Sequence, residues 1–214
     1  LAKVEILRLG EKVKQMAIDC IDPFLEPDLE ILDRLHEEER KVDALDEQIT
    51  EYLVRVGQRN LSEAQTREVY AMMHVTKQFE HIADIIDKQI RVLARKMITQ
   101  RVEFSESGRE EVQTYHTKMC KQISRALETF REGSLELADH MRAKQTKYIA
   151  LEENYRQAHF RRIHDAVVES IESSEIHLEL MDCFRRISSY GTNVGRALLS
   201  RDELPIETDT DERL

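Results

Sequence analysis

The chain of 214 residues holds 35% charged side chains, 6% aromatics and no tryptophan, with six glycines and three prolines. So few turn formers exclude sandwiches, barrels and doubly wound sheets, whose tight turns recruit glycine and proline. A net charge of −10 excludes a general nucleic-acid binder, which needs basic surface to displace counterions from phosphates. It also disfavours contact of the whole surface with an anionic membrane.

Apolar residues recur at spacings of three and four along nearly the whole length, the mark of helices that bury one face. Ile6, Leu9, Val13, Met16, Cys20 and Phe24 form the first stripe, bracketed at its end by Pro23 and Pro27. Val42, Leu45, Ile49, Leu53 and Val56 give a second helix over about 28–57. The third carries Val69, Met72, Phe79, Ile86, Leu93 and Met97, and Ser62 with Gln65 supplies a capping box at its start. A polar stretch, Glu103–Arg109, interrupts the pattern. Val112, Tyr115, Met119, Ile123 and Phe130 begin it again, Met141, Tyr148, Leu151 and Tyr155 continue it over about 134–168, and a sixth helix starts near Ser174. The class is all-α, with six long antiparallel helices in two tandem three-helix bundles.

The halves align with each other. Shifted by 106 positions, VDALDEQI (42–49) falls on YIALEENY (148–155). Shifted by 105, FEHIADIIDKQI from Phe79 falls on FRRISSYGTNVG from Phe184. A nearly constant offset implies a duplicated unit, with a first repeat over 1–104, a second over 105–200 and a loose acidic tail over 201–214. That tail, RDELPIETDTDERL, holds six acids and two bases. Cys20, Cys120 and Cys183 fall among apolar positions and read as reduced, buried thiols. No stretch approaches eighteen apolar residues, and no signal peptide is visible. The chain opens on Leu1 rather than methionine, which fits a piece of a longer protein.

Catalytic signatures are absent. No histidine has a glutamate three positions before it, as a ferritin-like site requires, and no two histidines stand four apart. His74, His81 and His159 read as helix surface or interface. The pairs Arg161-Arg162 and Arg185-Arg186 read as partners in surface ion pairs. The carboxylates are more informative. Asp43 and Glu47 on the second helix, and Glu80 and Asp84 on the third, are i, i+4 pairs. Each pair shares a helix face beside the apolar seam, where two such pairs suit a hard cation. Solvated acidic faces are the alternative.

These segments resemble the PhoU-like phosphate-regulatory family, through VDALDEQI in the second helix and FEHIADIIDKQI in the third. SSEIHLELMDCFRRISSYGTNVGRALL (173–199) is similar to the C-terminal PhoU unit of sodium/phosphate cotransporter-type membrane proteins. The resemblance implies two three-helix bundles, no enzymatic activity and regulation of phosphate transport. It further implies surface metal sites on acid-x-x-x-acid motifs, here Asp43, Glu47, Glu80 and Asp84, for a divalent or ferric ion that the fold itself does not require. In the second repeat these positions hold Ile149, Glu153, Arg185 and Ser189, so metal is expected in the first repeat alone. The implied partner is a transporter membrane domain in cis, or a phosphate-signalling protein, with self-association into a homodimer as a further contact and no nucleic acid. The implied location is the cytoplasmic side of the membrane. A free-standing PhoU-like regulator is the alternative. A carboxylate-metal enzyme is a third reading, but it needs inward-facing acids that the spacings do not provide.

Overall fold

A computed structural model describes residues 1–203, and segment 204–214 lies outside the described residues. Helix α1 spans Ala2–Asp19 and is followed by a single turn, α2, at Asp22–Leu25. Next come α3 (Leu29–Gly57) and α4 (Glu63–Ile85), which passes through a π turn at Ile86–Ile90 into α5 (Arg91–Gln100). The second half contains α6 (Glu106–Glu132), α7 (Leu135–His164), the short α8 (Val168–Glu172) and α9 (Ser174–Glu203). The expected stripes therefore become six long rods, with α4 and α5 one rod. Three boundaries differ. Cys20 and Phe24 lie beyond α1, the fifth helix stops at His164 rather than near 168, and α9 runs into the segment expected to be loose.

Local chemistry fixes the helix ends. Asp28 accepts the Glu30 backbone N–H at 2.8 Å, and Pro27 stands just before this cap. Ser62 and Gln65 close the reciprocal capping box, which satisfies two otherwise orphaned donors. Gly133, at φ 69°, ends α6 in the left-handed region, and Ser134 caps α7 immediately afterwards. That two-residue link forces α6 and α7 antiparallel.

Helices α1, α3 and α4 pack around one core, and α6, α7 and α9 around another. Contacts of α1 with α6, and of α4 with α9, merge the two into one apolar cluster. The outer helices α3 and α7 lie at opposite edges. Gly10 marks the crossing of α1 with α4 and α6, since a Cβ there would meet Leu127 Cδ2 at 2.5 Å and Phe79 Cζ at 2.9 Å.

The π turn carries one extra residue relative to the matching rod. Before it, the buried pairs Phe79/Phe184 and Ile82/Ile187 are 105 positions apart. After it, Ile90/Val194, Leu93/Ala197 and Ala94/Leu198 are 104 apart. An i→i+5 turn absorbs one residue without breaking the helix.

One end of the second bundle is closed by a buried ionic cluster. Arg162 donates two bonds to Glu111, at 2.8 and 2.7 Å. His177 Nε2 stands 3.3 Å from the same carboxylate. His159 stacks on His177 with centroids 4.5 Å apart and bonds Ser174 Oγ at 3.0 Å. His159 is 1% exposed, so it belongs to the interior of the α7–α9 interface. Burial first, then His177 and Arg162, press its pKa down to about 4. All three cysteines are free; burial pushes the Cys120 thiol up to about 12. Among the described residues no helix is long and apolar enough to cross a membrane.

Two outcomes are expected. Gly10→Ala costs about 1–3 kcal/mol through overpacking, whereas Gly57→Ala, which meets nothing within 4 Å, is neutral or slightly stabilising; thermal melts of both check this. His159 binds its proton more weakly folded than unfolded, so the unfolded chain takes up more protons below about pH 6.5. Stability is then lost as pH falls toward 4, by about 2 kcal/mol between pH 7 and 5. His159→Gln, which keeps a donor for Ser174, should shrink that difference in urea titrations.

Candidate functional site: an acidic seam between α3 and α4

Antiparallel α3 and α4 face each other through polar residues on one side of their apolar seam. Climbing α3 one turn at a time meets His36, Glu39, Asp43 and Asp46, while descending the partner rod meets Asp87, Asp84, Glu80 and Lys77. Cross-helix bonds fix the register. His36 Nδ1 lies 3.1 Å from Asp87 Oδ1, Lys88 Nζ is 4.0 Å from Glu39 Oε1, and Lys77 Nζ donates to Asp46 Oδ2 at 2.6 Å.

Two sets of ligand atoms come within 4.8 Å of one another, Glu39 with Asp43 and Asp84, and His36 with Glu39 and Asp87. Glu39 and Asp87 are each 4% exposed. Burial pushes the Glu39 carboxyl above its usual range, and repulsion from Asp43 and Asp87 adds to this. The Glu80 carboxyl is raised by burial and by Asp84. Cations offset part of the repulsion. Lys88 Nζ donates to Asp84 at 2.5 Å, and Arg91 Nε to Asp87 at 2.6 Å. Asp46 Oδ1 is buried with no hydrogen-bond partner.

Of the four acids expected to act together, the fold brings Asp43 and Asp84 into one tight set. Glu80 lies one turn away, paired with His81 at 3.1 Å. Glu47 is exposed and makes no ion pair or hydrogen bond among the described residues. Glu39 replaces both, with His36 and Asp87 beside it. Glu39-x-x-x-Asp43 is itself an i, i+4 pair, and antiparallel packing sets it against Asp84. Asp87, three residues beyond Asp84 and seven beyond Glu80, shares their helix face by ordinary α-helical spacing.

The second unit holds a different seam at the matching positions. Gln145, the counterpart of Glu39, donates to Ser189 Oγ at 2.8 Å and accepts from Ser188 Oγ at 2.7 Å. Gln122 Nε2 bonds Thr192 Oγ1 at 2.9 Å. Glu152, in place of Asp46, pairs with Arg156 at 2.6 Å. Four repelling acids thus become a bonded neutral network. The arginine pairs match the expected surface ion pairs only in part, since Arg162 is drawn into the buried cluster and Arg161 takes part in no ion pair among the described residues. Arg162 binds Glu111, and Arg185 and Arg186 both meet Asp182.

An oxygen-only donor set suits a hard cation such as Mg²⁺, Mn²⁺ or ferric iron. The raised Glu39 carboxyl and, two turns along, the Asp46 oxygen left without a hydrogen bond among the described residues both signal a seam short of positive charge. Glu39, Asp43 and Asp84 therefore fit a metal ion, for which the Lys88 ammonium is a built-in competitor.

Residues 6–92 match the PhoU domain. The chain is 25% identical over 199 residues to the putative inorganic phosphate export protein YjbB of Salmonella typhimurium, covering 93% of this chain and 36% of that protein. It is 29% identical over 119 residues to the phosphate-specific transport system accessory protein PhoU of Serratia marcescens, covering 53% and 49%. The chain thus spans about a third of the length of the export proteins it matches. PhoU from Pseudomonas aeruginosa superposes with a TM-score of 0.85 at 15% identity, over 94% of each chain. The phosphate transport system regulatory protein PhoU from Streptococcus pneumoniae gives 0.81 at 15% identity, over 94% and 92%. At such identity the superpositions speak for the fold alone. The chain is thus similar to PhoU proteins, through a match to the PhoU domain over 6–92 and a fold shared with solved PhoU proteins over nearly its whole length.

Proposed function

We propose that the chain is a non-enzymatic regulator of phosphate transport that acts through contacts of its helical surface with transport or signalling proteins. The observation that carries this reading is a PhoU domain over 6–92 inside a chain that aligns over 93% of its length with phosphate export proteins. A free-standing accessory regulator acting in trans is the better-supported form, through the likeness to the phosphate-specific transport system accessory protein PhoU. The 36% share of the longer export proteins favours a second form, a regulatory domain fused to a transporter on the cytoplasmic side of the membrane. In both, residues 1–104 and 105–200 are two copies of one unit that have diverged in charge.

The first copy would sense a hard cation at Glu39, Asp43 and Asp84. Glu39, Asp43 and Asp84 would hold the ion, whose positive charge would offset the repulsion among these carboxylates. The protein's own part is to hold the carboxylates in register and to keep Lys88 in reserve for the metal-free state. The second copy, with its neutral network and arginines, would take no ion.

Phosphate flux tests the first claim. Radiolabelled phosphate uptake and release should change when the gene for this chain is deleted and return when it is restored. Unchanged flux across phosphate-poor and phosphate-rich media would refute the regulatory reading. Elemental analysis tests the second. Protein purified without chelator should hold at most one ion, lost in Asp84→Asn and kept in Glu47→Gln, and Lys88→Gln should bind manganese about tenfold more tightly because a competing charge is gone.

A further inference from the structure

One face of α6 and α7 carries a strip of five cations, bordered on α6 by Glu110 and Glu128, in an otherwise acidic protein. Lys118, Lys121 and Arg125 stand at i, i+3 and i+7 on α6, and therefore share one face. Lys144 and Lys147 lie on the stretch of α7 that passes alongside. The register is fixed by bonds: Arg125 Nη1 donates to Tyr148 Oη at 3.0 Å, and Gln122 Nε2 to the Met141 carbonyl at 2.9 Å. Lys121 and Lys147 are exposed and the other three half-buried. None of the five takes part in an ion pair among the described residues.

The first unit shows what these positions hold when charge is balanced. At the shift of 106, Lys118 matches Lys12 and Lys144 matches Glu38, and those two form an ion pair at 3.1 Å. Glu38 also receives Lys41 at 2.6 Å; Lys41 matches Lys147. Gln15 and Asp19, bonded at 2.7 Å, match Lys121 and Arg125. Five positions that sum to zero in one unit sum to five positive charges in the other. Like charges packed this closely repel unless an external anion joins them.

From this strip we infer a docking surface for the anionic headgroups of a phospholipid membrane. The cations run along the outer side of two antiparallel helices, over about 10 Å of α6, and so present to a plane. The acidic α3–α4 seam lies at the opposite edge of the molecule, so the charge distribution turns the strip toward a negative surface and the seam away from it. Each lysine or arginine near an anionic leaflet contributes about as much as a hydrogen bond, and long side chains reach the headgroups without burial of backbone. The inference rests on the reading that the chain works beside a phosphate transporter, which holds it next to a membrane.

Sedimentation of the 214-residue chain with vesicles tests this directly. It should bind vesicles containing phosphatidylglycerol, not those of phosphatidylcholine alone, and should be released by high salt. Lys118→Gln with Lys144→Gln should weaken binding about thirtyfold, the equivalent of about 1 kcal/mol per lysine, with an unchanged melting temperature. Lys12→Gln in the first unit should leave binding intact. Equal binding to neutral vesicles, or full binding by the double variant, would overturn the inference. So would tighter binding of soluble tripolyphosphate or a polyglutamate peptide through the same lysines, which would assign the strip to a soluble partner. The assay contains no transporter, so its failure removes the membrane contact alone. A failed flux experiment with vesicle binding intact would remove the regulatory reading alone.

Discussion

The contact of the α4–α5 rod with α9 is the constraint on which the rest of this molecule depends. Phe79 and Ile82 on one side, and Phe184 and Ile187 on the other, are fully buried. Asn193 bonds Gln78 across the interface at 3.1 Å, and His81 packs on Tyr190. Helices α1 and α3 cover one side of this central pair, and α6 and α7 the other. With one residue more than its counterpart, the α4–α5 rod can keep apolar residues inward on both sides of Ile86 only through a widened turn. The π turn does this, and Asp87, at its start, lies beside His36 and Glu39 on the helix face that Glu80 and Asp84 also occupy.

The two units use matching rods for opposite electrostatic ends. Between α3 and α4 the first unit concentrates carboxylates with lysines at their margin, while between α7 and α9 the second bonds Gln145 to Ser188 and Ser189. On the outer grooves the signs reverse. Lys12 and Lys41 are neutralised by Glu38 in the first unit, whereas Lys118, Lys144 and Lys147 are left without acids in the second. A common scaffold explains how this is tolerated, because the apolar stripes carry the fold and the exposed faces are free to diverge.

The stripes made the rods legible in sequence, since burial of one face demands the spacing that was read. Capping at Ser62 was equally local. The seam was half legible. Asp43 and Asp84 stand out as members of i, i+4 pairs, but which neighbouring acid completes the set depends on the register of one helix against the other. That register favours Glu39 over Glu47. Asp87 shares the face of Glu80 and Asp84 by spacing, but its burial beside His36 depends on the packing of α3. For His159, read as surface or interface, the interface holds: α8 and the bend at Ala166, with φ 59°, fold the chain back so that α9 buries it.

The central claim is that response to charge resides in the α3–α4 seam and is absent from the matching α7–α9 seam. Hydrogen–deuterium exchange with and without manganese tests it most directly, because both seams are followed in one chain. Added metal should slow exchange in peptides spanning 36–46 and 80–91 and leave those spanning 142–152 and 185–196 unchanged. Equal protection of both seams, or protection of the second alone, would contradict the account.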